Sequence, residues 1–428
     1  MLLFYVFGTM FLLLFLGVPV AVAIGGSCLV FTPWLVGGID RVMLLVGQRM
    51  ITTADSFTLL ALPFFILAGT LMSNGGISRK LTDLAEAISG DYPGGLAISA
   101  VVACMFFAAV SGSGPATVAA IGAIMIPAMN ARGYDKGFSG GLLAAAGGIG
   151  VLIPPSIPMI VYGVVSGVSV TDMFIAGVFP GILVGIVLII VAVTISKKRN
   201  YVGEPRDGGF GWVMGKIWDA KYALLMPIII LGGIYSGVFT PTEAGVVAVV
   251  YAIILGGVTG GLSLKGLCNA MIEAAVITAS CIILMGAAGA FSKFLYMKDL
   301  PGMIANMIFS VTTNKFIIMI LFNILFLLGG MFIDTLSNIL IFVPLLLPIV
   351  NQIGIDPIHF GIFVTANLAL GMVTPPMGVD LFVAANIVKT PFENILKGAM
   401  PFIIANFVAV LIITYVPAIS LWPLWIFK

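Results

Sequence analysis

An all-α, polytopic membrane protein is the fold class this sequence predicts, and three observations carry it. Of 428 residues, 61% are hydrophobic and only 8% are charged, whereas soluble domains carry about a quarter charged residues. Apolar runs close to the roughly 18-residue spanning threshold recur from one end of the chain to the other. The alternating segments of about 10 residues that build a transmembrane β-barrel are missing.

Taken in order, the opening "MLLFYVFGTMFLLLFLGVPV" lacks a basic leading region and a small-residue cleavage site, so it reads as a retained first span rather than a signal peptide. Spans follow near 18–36 and 56–74. The amphipathic stretches "RVMLLVGQRM" (41–50) and "RKLTDLAEAIS" (79–89) are too short or too charged to cross, and read as interfacial helices. Two apolar arms then flank "SGSGPAT" (111–117), before a broken span near 138–166 and a last one near 173–195. The stretch 196–221, "SKKRNYVGEPRDGGFGWVMGKIWDAK", is the only soluble segment of any length and reads as a cytoplasmic linker. Beyond it come spans near 222–237, 241–260 and 270–291, two arms around "FIDTLSN" (332–338), a broken span near 359–388 and a final span near 396–420. The span at 241 opens on Thr240, Pro241 and Glu243, the pattern of a capping box.

A single ungapped shift of 221 residues lays Pro154 on Pro375 and Pro155 on Pro376. The same shift puts Pro127 on Pro348, Asn130 on Asn351, Gly133 on Gly354, Asp135 on Asp356, Gly150 on Gly371 and Pro180 on Pro401. Glycine and proline matches fix backbone geometry, so they point to an internal repeat. The first unit is 1–195, with scaffold helices in 1–90 and a hairpin and broken helix in 92–195. The second is 222–428, with scaffold helices in 222–310 and a hairpin and broken helix in 314–428. If each arm pair is a re-entrant hairpin, each half crosses an odd number of times and the halves are inverted. The result is an inverted repeat of about 10 spanning helices plus two re-entrant hairpins and two broken helices. With the linker in the cytoplasm, roughly two thirds of the 19 basic residues lie inside, as the positive-inside rule requires, and both termini face the periplasm.

Several chemistries are excluded. No extramembrane domain is left to bind nucleic acid or hydrolyse ATP, and "GFGWVMGKI" fails the phosphate-loop pattern in spacing and last residue. Cys28, Cys104, Cys268 and Cys281 lie in apolar segments without CxxC spacing, and read as buried, inert thiols. His359 reads as a surface or capping residue, Asn367, Asn386 and Asn406 as interhelical glue, and Trp422 and Trp425 as an interfacial belt.

What remains is the pair of proline breaks, "GVLIPPSIP" (150–158) and "GMVTPPMGV" (371–379). Two adjacent prolines beside glycine unwind a helical turn, freeing carbonyls on one side and a helix N-terminus on the other. Free carbonyls suit a hard cation such as Na+, and a helix N-terminus suits a carboxylate. "SGSGPAT" adds the hydroxyls of Ser111, Ser113 and Thr117, with Pro115 placed to start a helix; an ordinary serine turn with an N-cap is its bland reading. "FIDTLSN" adds Asp334, Thr335, Ser337 and Asn338. An acid at membrane depth is functional by default, although Asp334 also suits an N-cap. Asp380 either caps the second half-helix or lines the path. No arginine lies in the tips or breaks, so an anionic substrate would be balanced by helix N-termini and bound cations.

The strings "SFTLLALPFFILAGTLMSNGGI", "GDYPGGLAISAVVACMFFAAVSGSGPATVAAIGAIMIPAM", "GVFTPTEAG", "MFIDTLSN" and "GMVTPPMGVDLF" resemble the large membrane subunit of a tripartite ATP-independent periplasmic (TRAP) transporter, and the likeness covers essentially the whole chain. It implies a Na+-coupled importer in a bacterial inner membrane, with a fold of the ion-transporter type working as an elevator. Its partners would be a small membrane subunit and a periplasmic substrate-binding protein, and its cargo a small organic acid of the sialic-acid or C4-dicarboxylate class. The overall wording is similar to sialic-acid members. Since the chain begins at "MLLFYVFG", the small subunit is expected as a separate polypeptide.

Carried onto this sequence, the resemblance implies two or more Na+ ions. One site would draw on Ser111, Gly112, Ser113, Thr117, Gly150 and Pro154; the other on Asp334, Thr335, Asn338, Gly371, Thr374 and Gly378. Ser111, Ser156 and Asp334 would face the substrate. A sodium-pumping, decarboxylase-type membrane subunit would share the inverted repeat and the buried acid. A channel would show a charged ring or filter signature, and an intramembrane protease paired aspartates or HExxH.

Overall fold

The computed structural model describes residues 2–31, 38–89, 92–201 and 210–427, and among them the chain is helical with no strand. The first half contains α1 (Leu2–Phe15), α2 (Val20–Phe31), α3 (Ile39–Ala54), α4 (Ala61–Asn74) and α5 (Ile77–Ser89). The arms α6 (Gly95–Ser111) and α7 (Gly114–Ala131) come next, then α8 (Lys136–Gly147), α9 (Ile157–Ser166) and α10 (Val170–Lys198). The second half contains α11 (Phe210–Tyr235), α12 (Pro241–Val258), α13 (Leu264–Met297) and α14 (Leu300–Val311). Its arms are α15 (Lys315–Phe332) and α16 (Thr335–Gln352), followed by α17 (Pro357–Gly371), α18 (Val379–Val388), α19 (Phe392–Tyr415) and α20 (Ala418–Phe427). By length and composition, 9 helices of the described residues can cross a membrane, and α7, α15 and α16 are among them.

Local chemistry explains the helix ends. Asp135 caps α8 by accepting from the Phe138 N–H at 2.9 Å, and its repeat mate Asp356 caps α17 by accepting from Ile358 N–H at 2.8 Å. The turns before them use Gly133 at φ 81° and Gly354 at φ 66°, a left-handed conformation that suits glycine. The repeat read in the sequence therefore extends to capping and turn geometry. The expected capping box is present: Thr240 Oγ accepts from Glu243 N–H at 3.3 Å, and Glu243 accepts from Thr240 N–H at 2.8 Å.

Two sets of helices pack differently. In the outer set α13 lies along α2, α3 and α4, while α12 packs on α4 and α11, and α11 on α5. In the inner set the two repeats interlock. The second half-helix of the later break, α18, packs on α7 and α8, whereas that of the earlier break, α9, packs on α16. Helix α8 meets α19 through glycine: a Cβ at Gly137 would lie 2.5 Å from the Asn394 carbonyl, and one at Gly398 would collide with the Gly137 backbone. Such close backbone approach replaces the hydrophobic drive that is lost between helices in lipid.

Some expectations change. The linker is shorter than 196–221, because α10 continues to Lys198 and α11 already begins at Phe210; residues 202–209 lie outside the described residues. Residues 210–221 form the first turns of α11, with the Lys221 ammonium 3.5 Å from the Trp218 ring centroid. The end of the span placed at 18–36 also falls outside the described residues. Helix α13 has 34 residues, well past 270–291, and at 1.5 Å per residue it measures about 51 Å, longer than the apolar core of a bilayer. Cys268 is exposed, unlike the other three thiols. His359 is buried, bonded to Ser420 Oγ at 3.3 Å and the Thr414 carbonyl at 3.0 Å. Asn367 and Asn406 bridge helices through Asn323 and the Ala145 carbonyl, but Asn386 is exposed.

Candidate functional site

Both proline breaks are non-helical, and both Pro-Pro bonds are cis. After α8 the chain makes one 3₁₀ turn, Gly148–Val151, and regains the α-helix only at Ile157. After α17 it leaves the helix at Gly371 and regains it at Val379. Among the described residues, the carbonyls of 152–155 and of 373–377 accept no hydrogen bond. An unpaired carbonyl in lipid costs several kcal/mol, so these groups call for another partner.

Each break faces the hairpin tip of its own repeat. Ile157 N–H donates to the Gly112 carbonyl at 3.3 Å, and Met377 N–H donates to the Met331 carbonyl at 3.3 Å. The breaks also lie against each other's helices, since a Cβ at Gly148 would be 3.2 Å from the Ala369 carbonyl.

At the first tip Gly112 takes φ 62°, turning the chain sharply between α6 and α7. A Cβ there would sit 2.7 Å from the Pro155 carbonyl. The hydroxyls of Ser111 and Thr117 are 2.9 Å apart, and Thr117 Oγ donates to the Ser113 carbonyl at 2.8 Å. A Cβ at Gly150 would meet that same carbonyl at 2.5 Å and Thr117 Oγ at 2.6 Å. Ser111, Gly112, Ser113, Thr117 and Gly150 are thus one cluster of oxygen atoms and bare backbone, which the Pro155 carbonyl joins; Pro154 precedes it across the cis bond. Ser113 occupies the N-cap position of α7 without making a side-chain cap.

Ser156 is placed differently. It is fully buried, donates to the Val151 carbonyl at 2.6 Å and caps α9 by accepting from Met159 N–H. It is not on the wall of the cavity that Ser111 and Ser113 line. That cavity, of about 180 Å³, lies between the tip and the outer helices α4 and α13, which contribute Thr70, Ser73, Asn74 and Glu273. Sequence reasoning missed these four: nothing in their local strings distinguishes a cavity wall from an ordinary helix end.

At the second tip Asp334 caps α16, accepting from Ser337 N–H at 3.1 Å and from the Ser337 hydroxyl. It is not covered by protein, so the carboxylate that ends the turn is also left open on the surface of the chain. Thr335 Oγ donates to Met372 Sδ at 3.3 Å, tying this tip to the second break. Asn338 Nδ2 donates to the carbonyls of Ile333 and Asp334, each at 2.9 Å, while its buried Oδ1 has no partner. Gly371 touches Gly330 backbone to backbone, with 2.7 Å left for a Cβ. Thr374 Oγ turns back to the Leu370 carbonyl at 2.7 Å, and Gly378 at φ 53° opens α18. The orphaned amide oxygen at this tip and the unpaired carbonyls of its break are oxygen donors of the kind that fit a hard monovalent cation.

Residues 7–419 match the family described as tripartite ATP-independent periplasmic transporter, DctM component. The isethionate TRAP transporter permease protein DctMQ of Oleidesulfovibrio alaskensis is 45% identical over 417 residues; the match covers 97% of this chain, which spans 65% of that relative's length. The C4-dicarboxylate TRAP transporter large permease protein DctM of Pseudomonas aeruginosa is 40% identical over 380 residues, covering 88% of this chain and 89% of that one. The sialic acid TRAP transporter large permease protein SiaM of Vibrio cholerae is 35% identical over 410 residues, covering 96% and 95%. Among solved structures, the Alcanivorax borkumensis YdaH transporter aligns with a TM-score of 0.64 at 16% identity, over 91% of this chain and 89% of that one. That last likeness is one of fold.

Proposed function

The chain belongs to the DctM family of tripartite ATP-independent periplasmic transporters, and from that premise we propose that it is the Na+-coupled importer of a small organic acid. Membership places it among permeases, not among the sodium-pumping decarboxylase subunits that the sequence also allowed. In this reading a periplasmic binding protein delivers the acid, a small membrane subunit completes the complex, and both termini lie on the periplasmic side of a bacterial inner membrane.

The observation that carries the reading is the pair of tips set against the pair of breaks, each with unpaired carbonyls. Two Na+ ions sit there, one among Ser111, Ser113, Thr117, Gly150 and Pro154, the other among Asp334, Thr335, Asn338, Gly371, Thr374 and Gly378. They create the positive potential that the site lacks in basic side chains, and the acid binds beside Ser111 and Asp334. Each net positive charge moving inward through 100 mV yields about 2.3 kcal/mol, so a few ions drive uphill uptake without ATP. Interlocked tips and breaks then travel as one body past the outer helices, an elevator stroke. Names of relatives span isethionate, a C4-dicarboxylate and sialic acid; what they share is an acid group on a small polar molecule. Sialic acid is not singled out, since identity to that relative is lower than to the other two.

The test is uptake into proteoliposomes carrying the chain with a small subunit, in the presence of a binding protein. Each of the three acids is offered with and without an inward Na+ gradient. Uptake should require both the gradient and the binding protein. Uptake that needs neither removes the proposal.

A further inference from the structure

Asp380, in the first turn of α18, is fully buried, and neither of its carboxylate oxygens has a hydrogen-bond partner. Its backbone N–H is used, donating to the Met372 carbonyl at 3.0 Å, so the orphan is the side chain alone. A fully buried carboxylate without a partner is costly, and an ionisable group at this depth marks a functional position.

The carboxylate does not face its own hairpin tip. It lies against the first repeat. A Cβ at Gly114, the first residue of α7, would sit 3.1 Å from Asp380 Oδ2 and 3.4 Å from Oδ1. One at Gly147, the last residue of α8, would sit 3.1 Å from Oδ2 and 3.2 Å from the Gly114 carbonyl. Gly147 opens directly onto the 3₁₀ turn that contains Gly150, which touches Ser113 and Thr117.

Three helix ends therefore meet at this acid. The starts of α7 and α18 each contribute about half a positive charge, and the end of α8 about half a negative one. Together with the carboxylate, negative charge remains in excess, on the side of the first break. The two tips differ in the complementary way. The shift that relates the repeats puts Asp334 on Ser113, so the first tip has no acid of its own, and it puts Asp380 on Met159.

We propose that Asp380 is the negative ligand of the Na+ site at the first tip, supplied across the molecule by the second repeat. Each site then holds one carboxylate, Asp334 in the second and Asp380 in the first. The interlocking of α18 with α7 and α8 makes the first site depend on both repeats being in place. This inference rests on the Na+-coupled reading above.

Binding of ²²Na+ to the purified chain, in a choline chloride background, tests it. Asp380→Asn keeps the shape and removes the charge, and should shift half-saturation of one ion at least tenfold while the other ion binds as before. An Asp380→Asn isotherm identical to the parent's overturns the inference and leaves the coupled reading standing. A parent chain that binds no Na+ overturns both. Where the variant does not fold, the unaltered protein answers through an anomalous map of crystals grown with Tl+. A Tl+ peak in contact with the Asp380 carboxylate is expected, and a map without one overturns the inference, whatever it shows at the second tip.

Discussion

Gly150→Ala isolates the contact between the first tip and the first break. The added methyl would lie 2.5 Å from the Ser113 carbonyl and 2.6 Å from Thr117 Oγ, where ordinary contact begins at 3.4 Å. Tip and break must separate by about 0.9 Å, because close-packed interiors cannot absorb the overlap elsewhere. Metal ligands tolerate shifts of only about 0.2 Å, so the displacement exceeds what a Na+ site can accommodate. Half-saturating Na+ for uptake should rise at least tenfold, with the chain still monodisperse on size exclusion. Gly47→Ala is the control, since nothing lies within 4 Å of that position. A Gly150→Ala protein with the parent's Na+ dependence would refute the argument that this contact builds the cation site.

Other predictions follow from the same geometry. Ser111→Ala removes the hydroxyl that Thr117 meets at 2.9 Å on the wall of the 180 Å³ cavity; uptake should weaken or lose Na+ dependence, and unchanged kinetics would reduce Ser111 to a turn residue. Asp334→Ala removes an N-cap, costing about 1 kcal/mol, yet uptake should vanish at normal expression, and near-normal uptake would leave Asp334 as a cap only. Ser263→Ala deletes the cap that Gly266 N–H donates to at 3.0 Å at the start of α13. It should lower stability by about 1 kcal/mol and leave half-saturating Na+ unchanged, as read by thermal melting and uptake side by side.

The paired breaks were legible because Pro-Pro beside glycine leaves the backbone no helical option, whatever packs around it. Interruption at corresponding places in two halves marked the candidate site for the same reason. Asp334 was ambiguous between cap and ligand because both roles need the same short acid at the same turn, and the structure shows the capping role. The resemblance has Ser156 face the substrate; in the fold its hydroxyl donates to the Val151 carbonyl and accepts from Met159 N–H inside the break. His359 read as a surface or capping residue because its partners, Thr414 and Ser420, lie far along the chain.

Composition and hydrophobic run length by themselves determined the class, since a chain with 8% charged residues must meet lipid over most of its surface. Glycine, proline and capping acids determined where its helices start, stop and break, because those residues act on backbone torsions within a few positions. The tertiary structure alone decided which half-helix enters which repeat. Asp380 shows the difference: its neighbours in sequence assign it to the second break, but α18 lies across α7 and α8 and delivers its carboxylate to the first tip. Charge placement in a buried site depends on contacts between residues far apart in the chain, and no local pattern encodes them.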